Sequence, residues 1–172
     1  GPRLFDGIPN LERVLVESAS EAERSALFKK AGELWQANKL ADSDIETLLD
    51  VARNRGWLKA ESAVLGALIE LLGVKPHAAF ADLVAPMLTN GSSSVRAQAA
   101  RLIGWYGAKE HAPKLRELLR DSDRLVRRHS ALALAAVGDT DSASAVAALL
   151  DDSEEHVRGD ALDALARLGV KE

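Results

Sequence analysis

His77, His111, His129 and His156 are the only imidazoles in the chain, and none of them precedes a glutamate: the following residues are Ala78, Ala112, Ser130 and Val157. No H-x-x-x-H spacing occurs, so no helix face carries two histidines one turn apart for a metal. The chain has no cysteine, which removes thiolate metal sites, cysteine nucleophiles and disulfides together. Acidic neighbours such as Asp151-Asp152 and Glu154-Glu155 lie in a polar turn, with no apolar wall to raise a carboxyl pKa toward neutrality. The "NGSSS" run, Asn90–Ser94, reads as a polar turn and cap before a helix. No G-x-S-x-G elbow, P-loop or dinucleotide fingerprint is present. The residues therefore predict no catalytic group, no metal and no cofactor.

The 172 residues are 47% hydrophobic but only 4% aromatic. Ala, Leu and Val build the interior, and that is a helix-former's composition. The net charge of −4 argues against whole-surface attraction to nucleic acid or to an anionic membrane. The longest nearly uncharged apolar run, residues 62–74, contains Glu70 and is too short to span a bilayer. Membrane insertion is not expected, and a cytoplasmic location is. Gly1-Pro2 resembles the remnant of a cleaved tag, with the natural protein expected to extend further.

Three copies of one unit dominate the second half. Val95-Arg96, Val126-Arg127 and Val157-Arg158 recur 31 residues apart, and the same step aligns Asn90, Asp121 and Asp152. It also aligns Leu88, Leu119 and Leu150, then Ile103, Leu134 and Leu165, then Gly107, Gly138 and Gly169. A fixed period of this size indicates stacked supersecondary units. Each unit reads as two helices: Pro113 opens the first in the middle copy, Asp121-Ser122-Asp123 supplies the turn and N-cap, and Gly138 stops the second. Upstream the repeat is degenerate, yet Ser20 with Glu23 and Ser43 with Glu46 fit capping boxes. Helices are expected at 9–18, 20–38, 43–54, 57–72, 76–89, 93–106, 111–120, 123–137, 141–151 and 154–168, with Pro86 kinking one or opening a new turn. The fold class expected is all-α: a right-handed α-solenoid of about five antiparallel helix pairs forming one domain over 3–172, degenerate over 3–83 and regular over 84–172.

The pattern L-L-x-D-x-x-x-x-V-R-x-x-A-A-x-x-L-x-x-x-G resembles HEAT repeats, and within them the short bacterial, phycobilisome-lyase-like subtype. Leu118-Leu119, Asp121, Val126-Arg127, Ser130-Ala131, Leu134 and Gly138 carry it in the middle copy. The absence of a His-Glu pair sets the chain apart from the iron-dependent hydroxylases built on such repeats. The resemblance implies that Asn90, Asp121 and Asp152 with Arg96, Arg127 and Arg158 form an Asp–Arg ladder tying neighbouring turns. It also implies that the second helices line a concave binding face.

Positions on the second helices that the repeat does not need are the informative ones. They hold Ala97, Gln98, Arg101 and Trp105; then Arg128, His129, Leu132 and Ala136; then Gly159, Asp160, Asp163 and Arg167. These change in every copy, and a mixture of Trp, Arg, Leu and His beside acids suits a protein-binding hot spot. Trp105 is the expected anchor, unless its ring folds over Tyr106 or onto the next repeat; Asp160 and Asp163 would select a basic end of the partner. Trp35 and Trp57 are read as packing residues. Residues 109–129 carry a net +3 and residues 139–163 a net −7, a juxtaposition that would orient a partner if both blocks faced solvent.

The expected function is a non-catalytic scaffold that binds a protein or peptide, with self-association through the terminal repeat as a further expectation. Two alternatives remain at this stage: a lyase-type or chromophore-handling module, and a nucleic-acid reader using Arg101, Arg128 and Arg167. The second is disfavoured by Asp160 and Asp163 on the same face.

Overall fold

A computed structural model describes residues 20–59 and 62–169; the helix expected at 9–18 lies outside them. Among the described residues every regular element is helical. The chain divides into two compact units, residues 1–75 and 76–172.

In the first unit, α1 (Glu21–Gln36), α2 (Asp42–Asn54) and α3 (Ser62–Leu72) are joined through a 3-10 turn at Trp57–Lys59. The Ser20 side chain accepts from Glu23 N–H while the Glu23 carboxylate reaches back to Ser20 N–H, so the expected capping box opens α1. The box expected at Ser43 does not form. Helix α2 starts earlier, with Ala41 as N-cap, and Asp44 accepts from Ala41 N–H at 2.9 Å. Ala41 has no side-chain oxygen to return the bond, and its carbonyl accepts from Asp44 N–H at 3.0 Å instead. The core is built from Phe28, Trp35, Ile45, Leu48, Trp57, Leu68 and Leu72, all buried. Trp35 satisfies its indole N–H on Asp42 Oδ1 at 2.8 Å, and Phe28 meets Trp57 edge-on.

The second unit is an α-solenoid of three stacked helix pairs. First helices are short and broken: α4 (Ala81–Val84) continues into a 3-10 segment, Ala85–Thr89; α6 (Ala112–Leu118) follows a 3-10 turn at Lys109–His111; α8 (Ala143–Ala147) lies between two more 3-10 turns. Pro86 sits at the start of its 3-10 segment, where the missing N–H costs little. Second helices are regular: α5 (Ser93–Tyr106), α7 (Arg124–Ala136) and α9 (Glu155–Arg167). Helix α5 packs on α7 and α7 on α9, and Ala99, Leu102, Ile103, Ala131, Ala133, Leu134, Ala161 and Ala164 are buried along them. Each second helix ends before a glycine in the left-handed region, with φ of 69°, 70° and 73° at Gly107, Gly138 and Gly169. A β-carbon there would be strained, which explains why the repeat keeps glycine at this row.

Candidate interaction face

The turns between first and second helices set the register of the face. In each copy the row residue folds its own turn: Asn90 Oδ1 accepts from Ser92 N–H, Asp121 Oδ1 from Asp123 N–H, and Asp152 Oδ1 from Glu154 N–H, at 2.9–3.0 Å. These are Asx turns, and they aim the chain into the next helix. Asp123 is the N-cap of α7, accepting from the N–H groups of Leu125 and Val126.

Arginines then bind the turns to one another. Arg96 donates through Nε and Nη2 to the two oxygens of Asp121 at 2.9 and 3.1 Å, and Arg127 repeats this on Asp152 at the same distances. The third nitrogen, Nη1, donates to the carbonyl of the row residue in the arginine's own copy: Arg96 to Asn90, Arg127 to Asp121, and Arg158 to Asp152, each at 2.8 Å. One planar guanidinium thus spans two turns, a geometry that lysine cannot supply. The first copy carries the neutral Asn90 at this row, and the position 31 residues before Arg96 is Leu65 rather than arginine. At Asp121, burial opposes ionisation most strongly, but the Arg96 hydrogen bonds, the Asp123 N–H and the charges of Arg96 and Arg127 together outweigh it. Its carboxyl is held below the usual carboxylate range, as is that of Asp152.

The non-repeating positions divide into three groups. Arg101, Trp105, Asp163 and Arg167 are exposed, and Gln98, His129 and Leu132 are half-buried. The expectation that Ala97 faces a groove fails, because it is buried in the helix packing. Arg128 and Asp160 are not free for a partner: Arg128 Nε donates to Asp160 Oδ2 at 2.7 Å, tying α7 to α9. Asp160 is therefore already neutralised by this chain, and only Asp163 remains as an exposed carboxylate of the pair expected to select a basic partner.

Trp105 combines the two roles read for it. Its ring stacks on Tyr106, centroids 6.1 Å apart and planes 25° from parallel, yet 43% of the residue stays exposed. Tyr106 beneath it is buried, and that burial pushes its hydroxyl above the ordinary tyrosine range, with Arg101 pulling weakly the other way. The indole therefore rests against a buried neighbour while much of its surface stays open. His129 lies near Arg101, Arg128 and Asp160; burial first, then the two arginines, lowers its pKa despite the opposing carboxylate. The imidazole is neutral near pH 7, able to donate and accept.

Four ion pairs join the two charge blocks, so only part of each is left to form a two-signed surface. Arg116 meets Asp139 at 2.8 Å, Arg124 meets Glu154 at 3.7 Å, and Arg127 and Arg128 meet Asp152 and Asp160. Asp139 is almost fully buried, and its partner Arg116 lies on the adjoining first helix. Neither residue belongs to a repeated row, so periodicity could not reveal this pair. Unusually low similarity to the other copies at both positions was the available signal.

These stacked pairs, capped turns and arginine ladders define an α-solenoid scaffold. The family profile of HEAT repeats matches residues 80–166, just over half of the chain. The chain belongs to the HEAT-repeat proteins, whose repeats are generally protein-interaction scaffolds. It is similar in fold to an engineered protein of known crystal structure, at 18% identity and a TM-score of 0.60, over 94% of this chain and 80% of that one. No curated protein matches it. Among the described residues, no helix is long and apolar enough to cross a membrane.

Proposed function

We propose that this protein is a non-catalytic interaction module, and that the face formed by α5, α7 and α9 binds a protein or peptide segment. One observation carries the reading. The ladder and core rows use their polar groups internally, whereas Trp105 presents an open indole face on a buried support, beside exposed Arg101. A rigid aromatic loses little entropy on binding, and hot spots concentrate on such residues. Leu132 and His129 extend the apolar, neutral strip toward α9, where Asp163 and Arg167 offer one charge of each sign. Because Arg128 is engaged by Asp160, the face has too few free cations in a row to follow a phosphate backbone, which favours a polypeptide ligand over nucleic acid.

Peptides selected from a random display library against the whole protein test this. Trp105→Ala should weaken the selected peptides at least roughly tenfold, with the helical circular dichroism unchanged. Arg127→Ala should lower thermal stability and leave the affinity of the folded protein intact. Peptides that bind Trp105→Ala as tightly as the parent, or binding whose affinity falls steeply with salt as phosphate-type contacts do, would overturn the assignment.

A further inference from the structure

On the opposite side of the second unit, three side chains with lone pairs converge. Asp82 lies on α4, while Glu110 and His111 lie on the 3-10 turn that leads into α6. His111 Nε2 is 3.1 Å from Asp82 Oδ1 and 4.0 Å from Glu110 Oε1, and one ligand atom from each residue lies within 4.8 Å of the others. The set occurs between the first two copies. Thirty-one residues on, the same three positions hold Pro113, Asp141 and Ser142. The repeat architecture therefore does not require this cluster.

We propose that Asp82, Glu110 and His111 form a binding site for a divalent transition-metal ion of the zinc type. Zinc bonds nitrogen and oxygen donors at about 2.0–2.1 Å in a tetrahedron. That places neighbouring donors roughly 3.3–3.4 Å apart, by geometry from the same bond lengths. The His111–Asp82 separation of 3.1 Å is already close to that spacing. Glu110 must close from 4.0 Å on His111 and from up to 4.8 Å on Asp82, a movement of up to about 1.5 Å for tetrahedral spacing, and its side chain is mostly exposed. The imidazole is only 19% exposed and gives the site its nitrogen. Water completes the coordination. One imidazole with two carboxylates selects zinc, cobalt or nickel over magnesium or calcium, which prefer oxygen alone. Two negative charges are balanced by one dication, and the ion would bridge successive first helices. The ladder performs the equivalent bridging at the turns. The site is independent of the peptide-binding face, since none of its residues lies there.

Calorimetric titration of EDTA-treated protein with ZnCl2 provides the test, together with the visible spectrum on adding CoCl2. Expected are one bound equivalent, a tetrahedral cobalt spectrum, a rise in melting temperature with ZnCl2, and little response to MgCl2. His111→Gln should weaken zinc binding more than tenfold and abolish the thermal shift, and Asp82→Asn and Glu110→Gln should each weaken it severalfold. Circular dichroism of His111→Gln shows whether it folds; if it does not, the two carboxamide variants decide. Zinc binding that survives in the variants, that moves with His156→Gln instead, or that is absent from the parent protein would overturn the site.

Discussion

Gly104 on α5 faces Ala133 on α7 so closely that a β-carbon at Gly104 would lie 2.8 Å from the Ala133 Cα and 2.9 Å from its Cβ. Contact with backbone cannot be relieved by rotating a side chain, so the two helices would have to separate. Gly104→Ala should destabilise the protein by about 1–3 kcal/mol as an overpacking change, against the roughly 1 kcal/mol that alanine normally gains in a helix. Gly66, also helical but exposed and with nothing within 4 Å of its would-be Cβ, is the control. Gly66→Ala should raise stability by up to about 1 kcal/mol. Urea melts of both variants check the opposite signs.

The ladder predicts a graded series. Arg127 binds a carboxylate and two backbone carbonyls across two turns, and both partners of its ion pair are largely covered. Arg127→Ala should cost about 2 kcal/mol, in the range for hydrogen bonds to charged groups. Arg158 has only the Asp152 carbonyl bond described and is exposed, so Arg158→Ala should cost much less. A double-mutant cycle of Arg127→Ala with Asp152→Asn should show strong coupling, and one of Arg158→Ala with Asp121→Asn none.

Acid should act through the same carboxylates. Asp121 and Asp152 are held below their ordinary 3.8 in the folded protein, despite the opposing effect of burial. Their stabilisation is therefore complete above about pH 4 and is lost as the pH falls through the lower folded values. The stability gap between the parent and the Asp121→Asn/Asp152→Asn double variant should be constant from pH 7 to 5 and narrow below pH 4. Equal acid sensitivity of the two proteins would contradict it.

His129 works in the opposite sense. Burial and the nearby arginines hold its pKa below the ordinary 6.5, so the unfolded chain takes up the proton first. Stability should decline as the pH drops below 6.5, and His129→Gln should flatten that part of the profile. Thermal melts between pH 8 and 5 measure the difference.

Much of the second unit is legible from spacing. The 31-residue register places α5, α7 and α9 within a residue or two of their ends, because every copy spends a turn residue and a glycine at fixed offsets. It also sets Arg96 and Arg127 at one constant separation, 25 residues, before the aspartates they meet in the next copy. What spacing misses is whatever the copies do not share. Arg128 and Asp160 are 32 residues apart, one off the register, because a long side chain reaches past its own row. Gly104 is followed in its row by Ala135 and Ala166, so its tight approach is a property of one interface. The charge blocks read from the chain as two surfaces become pairs only when successive helices are side by side. Residues 57–72 read as one helix because the apolar pattern is continuous, while the structure describes a 3-10 turn and then α3.

The pairing of Asp139 with Arg116 bears on how such arrays evolve by duplication and exchange of units. Contacts made along the ladder are common currency, since any copy that brings the arginine and the aspartate will join any other. Asp139 is different: it is buried at 3% exposure, and its carboxylate is paired with Arg116, which no other copy carries at that row. Permuting the order of the copies would leave that carboxylate without its cation, and would set a bulkier residue where Gly104 now lets two helices touch. The copies are similar enough to be duplicated and too individual to be interchanged, so their order is itself encoded in a few private contacts.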